Sequence, residues 1–367
     1  MIIGEGTRVL LIGYETYDLK SDGTKYYKGG TEVVTNQLLE YLIQKGCQVY
    51  YLITHGRLTR ALKNSYSDTY GCYIDKAPKN DASELTKFIE ANKIELIINS
   101  TCMDSTSRYL FAECISKVSV PTLVYNHGSN CCHINSYGNS IIDNPNVHLI
   151  SATQHEYEEH IAFGVPKNRL HQIDNPVALP EVKIKPTDNS RFIINARMVE
   201  QKGIPNALDL CVAINKPVDL IGRDNNYKVY DQVMSYPKDI LNYVGLVDRP
   251  TMIEKISGAE MLILLPNGPE GKSLVMLEAM AMGTPVITWD DYSFSTFVDP
   301  EYNILLPHTP DYIDYFKEIY LPKLDYYTDY SRRCEMSKQV IEKYGINSYY
   351  AKLDKIIEKL GGTDSEK

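Results

Sequence analysis

The sequence predicts an α/β protein with two Rossmann-like domains, each built on a parallel β-sheet. Short runs of Val, Ile and Leu alternate with longer amphipathic stretches along the whole chain. A polar stretch at residues 176–189, which contains three prolines, interrupts this alternation, which then starts again. The length of 367 residues is enough for two domains of about 180 residues each. We therefore predict an N-terminal domain at residues 1–178, a C-terminal domain at residues 179–345, and a final helix and tail at residues 346–367.

In the first domain, the apolar runs predict buried strands and the stretches between them predict helices. The runs are short and rich in branched residues, which is typical of parallel strands covered on both faces. The predicted strands are residues 8–13, 48–54, 94–99, 121–126 and 147–151. The predicted helices are residues 31–45, 83–92, 105–118 and 152–163.

The second domain repeats the pattern. Its predicted strands are residues 191–195, 217–221, 241–244, 260–265, 285–288 and 303–306. The amphipathic segment 346–360 follows a complete second sheet and could cap either domain. Ligands of such sheets bind at the carboxyl ends of the strands, so we expect the site in a cleft between two facing domains.

Composition excludes several classes of function. Lys and Arg number 38 against 47 for Asp and Glu, and the net charge of −9 argues against binding to nucleic acid. No apolar run reaches the ~20 residues that span a bilayer, and the polar start with Glu5 is unlike a secretion signal. We expect a cytoplasmic protein without disulfides or zinc-finger spacing. A basic patch at residues 57–63 is either a solvated face or a peripheral contact with a membrane that carries a lipid acceptor.

The segment 264–290 holds the first candidate site. A strand ends near Leu265, a polar turn follows, and a helix is expected from Ser273 to Gly283. A helix start reached from a strand end is an anion site, and Ser273 can cap it. Glu270 lies in the turn, while Glu278 lies inside an otherwise apolar helix that offers no packing reason for a carboxylate.

The turn that follows the strand at residues 191–195 is the second candidate. Arg197 and Lys202 flank this turn, which enters a helix near Gly203. Two cations at a helix start oppose the helix dipole, so an anion such as a diphosphate is expected to join them.

Two weaker motifs lie in the first domain. Gly29 and Gly30 open a helix, where the missing side chains allow a ligand to approach the backbone. His127 and Gly128 follow a strand end, where a histidine can donate to a substrate hydroxyl.

Two other nucleotide-binding patterns fit less well. The sequence Gly271-Lys272-Ser273 is that of a phosphate loop, but the first position of that motif would be Pro266 instead of Gly. No predicted strand is followed by G-x-G-x-x-G, so an NAD-dependent dehydrogenase ranks last.

Taken together, these motifs resemble those of the GT-B glycosyltransferases of retaining family 4, the glycosyl transferases group 1. The matching features occur in that family's order, and the most specific is the tail EAMAMGTPVIT that begins at Glu278. The resemblance implies a retaining hexosyltransferase that uses a UDP- or GDP-sugar as its donor. The implied acceptor is a hydroxyl of a carbohydrate, a lipid-linked molecule or a protein.

The resemblance also implies roles for residues of the second domain. Arg197 and Lys202 would hold the donor diphosphate. The backbone amides of Leu274 and Val275 would join them, and Glu278 would bind the ribose hydroxyls.

Further roles follow from the same resemblance. The backbone around Val247 would contact the base, and Glu270 would contact the transferred sugar. His127 would contact a sugar hydroxyl near the reacting carbon, and Gly30 would pass close to the phosphates.

One feature departs from the family's pattern, and another bears on the need for a metal. Lys272 and Ser273 replace the aromatic residue and the glycine that often follow the family's first glutamate and glycine. No D-x-D sequence occurs, so we expect no metal and no cofactor, with cationic side chains stabilising the diphosphate. The alternatives are a nucleotide-sugar isomerase of the same fold and a nucleotide-sugar binding protein that has lost catalysis.

Overall fold

The structure is a computed structural model that describes residues 1–14, 17–19, 25–26, 29–54, 58–77, 82–101, 113–114, 116–126, 143–179, 184, 186–187, 191–268 and 270–360. The chain divides into two compact units. Unit 1 comprises Met1–Pro176 and Asn347–Lys367, and unit 2 comprises Val177–Ile346.

Among the described residues, unit 1 contains a seven-stranded parallel sheet in the order β5-β4-β1-β6-β7-β8-β9. The strands are β1 (Arg8–Gly13), β2 (Asp18–Leu19), β3 (Lys25–Tyr26), β4 (Gln48–Ile53), β5 (Tyr73–Lys76), β6 (Leu96–Asn99), β7 (Thr122–Asn126), β8 (Val147–Ser151) and β9 (Leu170–Gln172). β2 and β3 form a separate antiparallel pair. The helices are α1 (Gly30–Gln44), α2 (Arg60–Tyr70), α3 (Ala82–Ala91) and α4 (Gln154–Ala162).

The structure corrects several expectations for unit 1. The predicted helix at residues 152–163 begins only at Gln154, because Thr153 and Glu156 form a capping box that fixes the helix start. α2, β5 and β9 were not predicted. Most of the predicted helix at residues 105–118 lies outside the described residues.

In the part of unit 2 that the structure describes, six strands form a parallel sheet in the order β12-β11-β10-β13-β14-β15. Its strands are β10 (Phe192–Asn195), β11 (Val218–Ile221), β12 (Leu241–Gly245), β13 (Leu262–Ile263), β14 (Val286–Trp289) and β15 (Ile304–Leu306). Its helices are α5 (Ile204–Ala213), α6 (Tyr227–Met234), α7 (Arg249–Gly258), α8 (Leu274–Ala281), α9 (Tyr292–Ser295), α10 (Tyr312–Tyr315), α11 (Leu324–Thr328) and α12 (Tyr330–Tyr344). β13 is shorter than the predicted strand at residues 260–265.

The last helix, α13 (Ile346–Lys359), groups with unit 1 from Asn347 onward. The hydroxyl of Tyr41 donates to Asp354 at 2.7 Å, and Lys352 pairs with Asp174 at 3.2 Å. These contacts attach α13 to α1 and to the segment that follows β9. Among the described residues, no helix is both long enough and apolar enough to cross a membrane.

Two strand ends and one helix position the site in unit 2. β10 and β13 are neighbours, with Ile193 paired to Leu262, so the turns that follow both strands leave the same edge of the sheet. The amide of Asn267 donates to the carbonyl of Gln201 at 2.9 Å, which joins the two turns. α8 is buried along almost its whole length, because the core of unit 2 surrounds it.

Candidate functional site

The two joined turns and the start of α8 enclose a pocket of about 310 Å³, a volume that includes space open to solvent. The residues that line it are Asn195, Ala196, Lys202, Leu264, Pro266, Glu270, Ser273, Val275 and Met276. Three residues that the sequence predicted for the site, Lys202, Glu270 and Val275, therefore lie around one pocket.

The first turn of α8 faces this pocket without a side-chain cap. Ser273 is the N-cap residue, but its hydroxyl makes no capping hydrogen bond, so the expectation that Ser273 caps the helix is wrong. Within the described residues no acceptor meets the amides of Leu274 and Val275, which leaves a positive helix end for an anion.

Lys202 and Glu270 form an ion pair beside this helix end. The Lys202 Nζ atom lies 2.8 Å from Glu270 Oε1 and 2.7 Å from Oε2. The Lys202 side chain is 25% exposed and that of Glu270 is 13% exposed. An ammonium has three donors, so one N–H stays available for a further acceptor. The carboxylate likewise keeps lone pairs that a hydroxyl can donate to.

Arg197 lies at the start of the turn and is exposed. Among the described residues nothing accepts from its guanidinium, which is therefore free to bind an anion. The preceding carbonyl, that of Ala196, is packed against Gly222, where a Cβ would lie 1.9 Å from the oxygen. This close approach fixes the backbone from which Arg197 projects.

Glu278 has a structural partner that the sequence analysis missed. Arg249 Nη2 donates to Glu278 Oε1 at 2.6 Å and to the carbonyl oxygen of Ala178 at 2.9 Å. Glu278 is buried, so the expectation that nothing in the packing accounts for this carboxylate is wrong. A signal was present: Asp248 and Pro250 mark a helix start, and Arg249 is a cation at that start.

Lys272 does not line the pocket. It is 8% exposed, and its ammonium lies over the rings of Phe297 and Tyr344 at 5.5 Å and 4.9 Å. Cation–π contacts of this kind hold the side chain inside unit 2. Lys272 stands where the family often has an aromatic residue. Because its ammonium packs on the rings of Phe297 and Tyr344, it adds no cation to the pocket.

The other predicted site residues lie elsewhere. Val247 is half-buried and packs against the core of unit 2, beside the half-exposed Leu246. Gly30 is the exposed first residue of α1 in unit 1. His127 and Gly128 lie outside the described residues. In the described part of the chain, no three side chains of His, Cys, Asp or Glu cluster as metal ligands.

The residues that line the pocket lie in a segment that matches a known protein family. Residues 178–322 match the family described as Glycosyl transferases group 1. That stretch contains both joined turns, Arg249 and α8. The match covers less than half of the chain, so it shows that residues 178–322 are similar to this family. The resemblance to the glycosyl transferases group 1 that the motifs indicated is thereby confirmed for this stretch of the chain.

Solved structures show the same fold over almost the entire chain. A sucrose-phosphate synthase from Thermosynechococcus elongatus is 14% identical, with a TM-score of 0.74 over 96% of this chain and 99% of that one. HepE from Anabaena, in complex with UDP, is 12% identical, with a TM-score of 0.70 over 96% and 99%. TarM from S. aureus, in complex with Fondaparinux, alpha-GlcNAc-glycerol and UDP, is 9% identical, with a TM-score of 0.71 over 97% and 100%. No curated protein matches at the sequence level. The predicted α/β fold of the GT-B class is confirmed.

Proposed function

We propose that this glycosyltransferase transfers a hexose from a UDP- or GDP-sugar to an acceptor hydroxyl, with retention of anomeric configuration and without a metal ion. The observation that carries the proposal is the pocket in which Lys202 and the uncapped start of α8 meet beside Glu270. The diphosphate would bind to the Lys202 ammonium and to the positive start of α8. The transferred sugar would bind to the Glu270 carboxylate.

The chemistry follows from the charge that develops when the donor breaks. Cleavage of the bond between the anomeric carbon and the diphosphate oxygen leaves negative charge on the phosphate. The third N–H of Lys202, the Arg197 guanidinium and the α8 amides stabilise that charge. The same phosphate oxygen accepts the proton of the acceptor hydroxyl, which attacks on the face that the phosphate leaves. Glu270 accepts from a hydroxyl of the transferred sugar.

UDP is the first nucleotide to test, because the neighbours HepE and TarM were crystallised with it. The acceptor is a hydroxyl of a carbohydrate, a lipid-linked molecule or a protein. The basic patch at residues 57–63 would be the contact with a membrane if the acceptor is a lipid.

Calorimetric titration with UDP, GDP and ADP, in buffer with a metal chelator, tests the proposal. We expect one of the nucleotides to bind. Lys202→Ala should weaken its affinity by about 10- to 150-fold, because the variant loses one charge-assisted hydrogen bond of about 1.5–3 kcal/mol. Lys228→Ala, an exposed lysine of α6, is the matched control and should bind like the unmodified protein.

Five outcomes would count against the proposal. Binding of none of the nucleotides, or unchanged affinity in Lys202→Ala, would remove the diphosphate site. A product with inverted anomeric configuration, read from the NMR coupling of its anomeric proton, would exclude retention. Tight binding without transfer to any acceptor would favour a binding protein, and rearrangement of the donor without an acceptor would favour an isomerase.

A further inference from the structure

Arg249 donates a hydrogen bond to Glu278, a buried carboxylate of α8 in unit 2. Its Nη2 atom is 2.6 Å from Glu278 Oε1, and Glu278 is 4% exposed. We propose that Arg249 is a positioning residue, which aims the second oxygen of Glu278 at the ribose and so sets the preference for ribonucleotides over deoxyribonucleotides. The inference rests on the proposed function, because it presupposes a nucleotide whose ribose meets Glu278.

The hydrogen bonds of Glu278 leave one oxygen for a ligand. A carboxylate has two oxygens with about four acceptor positions. Arg249 occupies Oε1, and within the described residues no group donates to Oε2. A ribose hydroxyl that donates to Oε2 makes a charge-assisted hydrogen bond, which is stronger than one between neutral groups.

The guanidinium defines the direction in which the carboxylate points. Arg249 Nη2 donates to Glu278 and also to the carbonyl of Ala178 at 2.9 Å, so its plane is fixed at two acceptors. Glu278 lies between the buried side chains of Leu277 and Ala279 on α8. A charge buried there without a counter-charge is costly, so removal of Arg249 leaves the carboxylate free to turn away from the ribose.

A purely structural role for Arg249 makes a different prediction. As a link between α7, α8 and Ala178, it would contribute to stability alone. Its loss would then weaken ribonucleotides and deoxyribonucleotides by the same factor. The ratio of the two dissociation constants therefore separates the two roles.

The experiment titrates the full chain with UDP, 2′-deoxy-UDP and 3′-deoxy-UDP, and with the corresponding GDP set. The variants are Arg249→Met and the conservative Arg249→Lys. Lys255→Met is the control, because Lys255 lies on the same helix and pairs with Asp219 at 3.3 Å, away from Glu278. Thermal unfolding of every variant is recorded beside the titrations.

We expect the unmodified protein to prefer the ribonucleotide over at least one deoxy form by about 10-fold or more, the value of a hydrogen bond to a charged group. Arg249→Met should reduce this preference to less than about 3-fold. Arg249→Lys should restore part of it, and Lys255→Met should keep all of it.

The outcomes separate the inference from the proposed function. If the unmodified protein discriminates and Arg249→Met discriminates equally, whatever its loss of stability, the inference is overturned and the proposed function stands. If Arg249→Met does not fold, full discrimination by Arg249→Lys with a lowered melting temperature leads to the same rejection. If the unmodified protein binds neither UDP nor GDP, the proposed function fails and the inference with it.

Discussion

At the scale of single residues, Gly203 fixes the geometry of the turn that contains Arg197 and Lys202. Its φ is +55°, and a Cβ placed on it would lie 2.0 Å from the carbonyl oxygen of Leu265. A side chain at this position costs about 1–2 kcal/mol of strain, because the backbone is in the left-handed region. It also clashes with the backbone of Leu265. We expect Gly203→Ala to lower the free energy of unfolding by more than about 2 kcal/mol, as measured by denaturant titration, and to weaken nucleotide binding, because Lys202 is adjacent.

Gly245 provides the matched control for this prediction. It also has a positive φ, +81°, but nothing lies within 4 Å of a Cβ placed on it. Gly245→Ala should therefore cost only the backbone strain of about 1–2 kcal/mol. Equal losses in the two variants would mean that the contact with Leu265 does not constrain the turn.

A second prediction at this scale concerns Glu156, a buried carboxyl at the start of α4. Burial raises the pKa of Glu156 from its ordinary 4.5 to about 8, although the amides of Ala152 and Thr153 donate to its Oε2 and oppose the shift. Between these two pKa values the folded protein holds a proton that the unfolded chain has released. The stability that this proton contributes is complete below pH 4.5 and is lost as the pH rises through 8.

The test compares Glu156→Gln with the unmodified protein between pH 5 and pH 8. This range lies between the ordinary pKa of 4.5 and the raised pKa of about 8. The unfolding free energy of the unmodified protein relative to the variant should fall by up to about 1.4 kcal/mol per pH unit, followed by far-UV circular dichroism. Glu158→Gln, at an exposed position of the same helix, should keep the unmodified pH dependence. Parallel curves for Glu156→Gln and the unmodified protein would show that Glu156 is already ionised in the folded state.

At the scale of secondary structure, the starts of α4 and α8 differ in a way that separates stability from binding. Thr153 Oγ1 accepts from the amide of Glu156 at 3.1 Å, whereas Ser273 makes no such bond in α8. We expect Thr153→Ala to cost about 1 kcal/mol of unfolding free energy and Ser273→Ala to cost less than half of that. Denaturant unfolding measures both, and a similar loss in the two variants would show that Ser273 does cap α8.

The elements that the sequence predicted well are those whose whole length is apolar. β1 and β8 were predicted with the bounds that they have in the structure, because nearly all of their residues are buried. β5 was missed, since only Ile74 of its four residues is buried. α2 was missed because it buries only Leu62 and Tyr66, which is too few to establish a helical period.

The same limit applies to the site. Lys202, Glu270 and Glu278 were recognised because their motifs are local, each within a few residues of a strand end or a helix start. The contact of Arg249 with Glu278 joins residues that are 29 positions apart, and no local pattern records it. Sequence reasoning identified the charged groups of the site, but pairing between distant groups required the fold.

At the scale of the whole molecule, the described core residues form separate clusters in the two units. One cluster consists of residues between Val177 and Tyr344, all in unit 2, and another of residues between Leu10 and Leu170, all in unit 1. The chain has one tryptophan, Trp289, and it belongs to the cluster of unit 2. Tryptophan fluorescence therefore reports the unfolding of unit 2, while far-UV circular dichroism reports the helices of both units.

This difference allows a test of where the C-terminal helix belongs. Leu353 of α13 is fully buried, and a cavity in its place should cost unit 1 about 2–5 kcal/mol. We expect Leu353→Ala to move part of the circular dichroism transition to lower denaturant and to leave the fluorescence transition and nucleotide affinity unchanged. Lys355→Ala, at an exposed position of the same helix, should shift neither signal. A shift of the Trp289 fluorescence equal to that of the circular dichroism would show that α13 stabilises unit 2 as well, because Trp289 packs in the core cluster of unit 2.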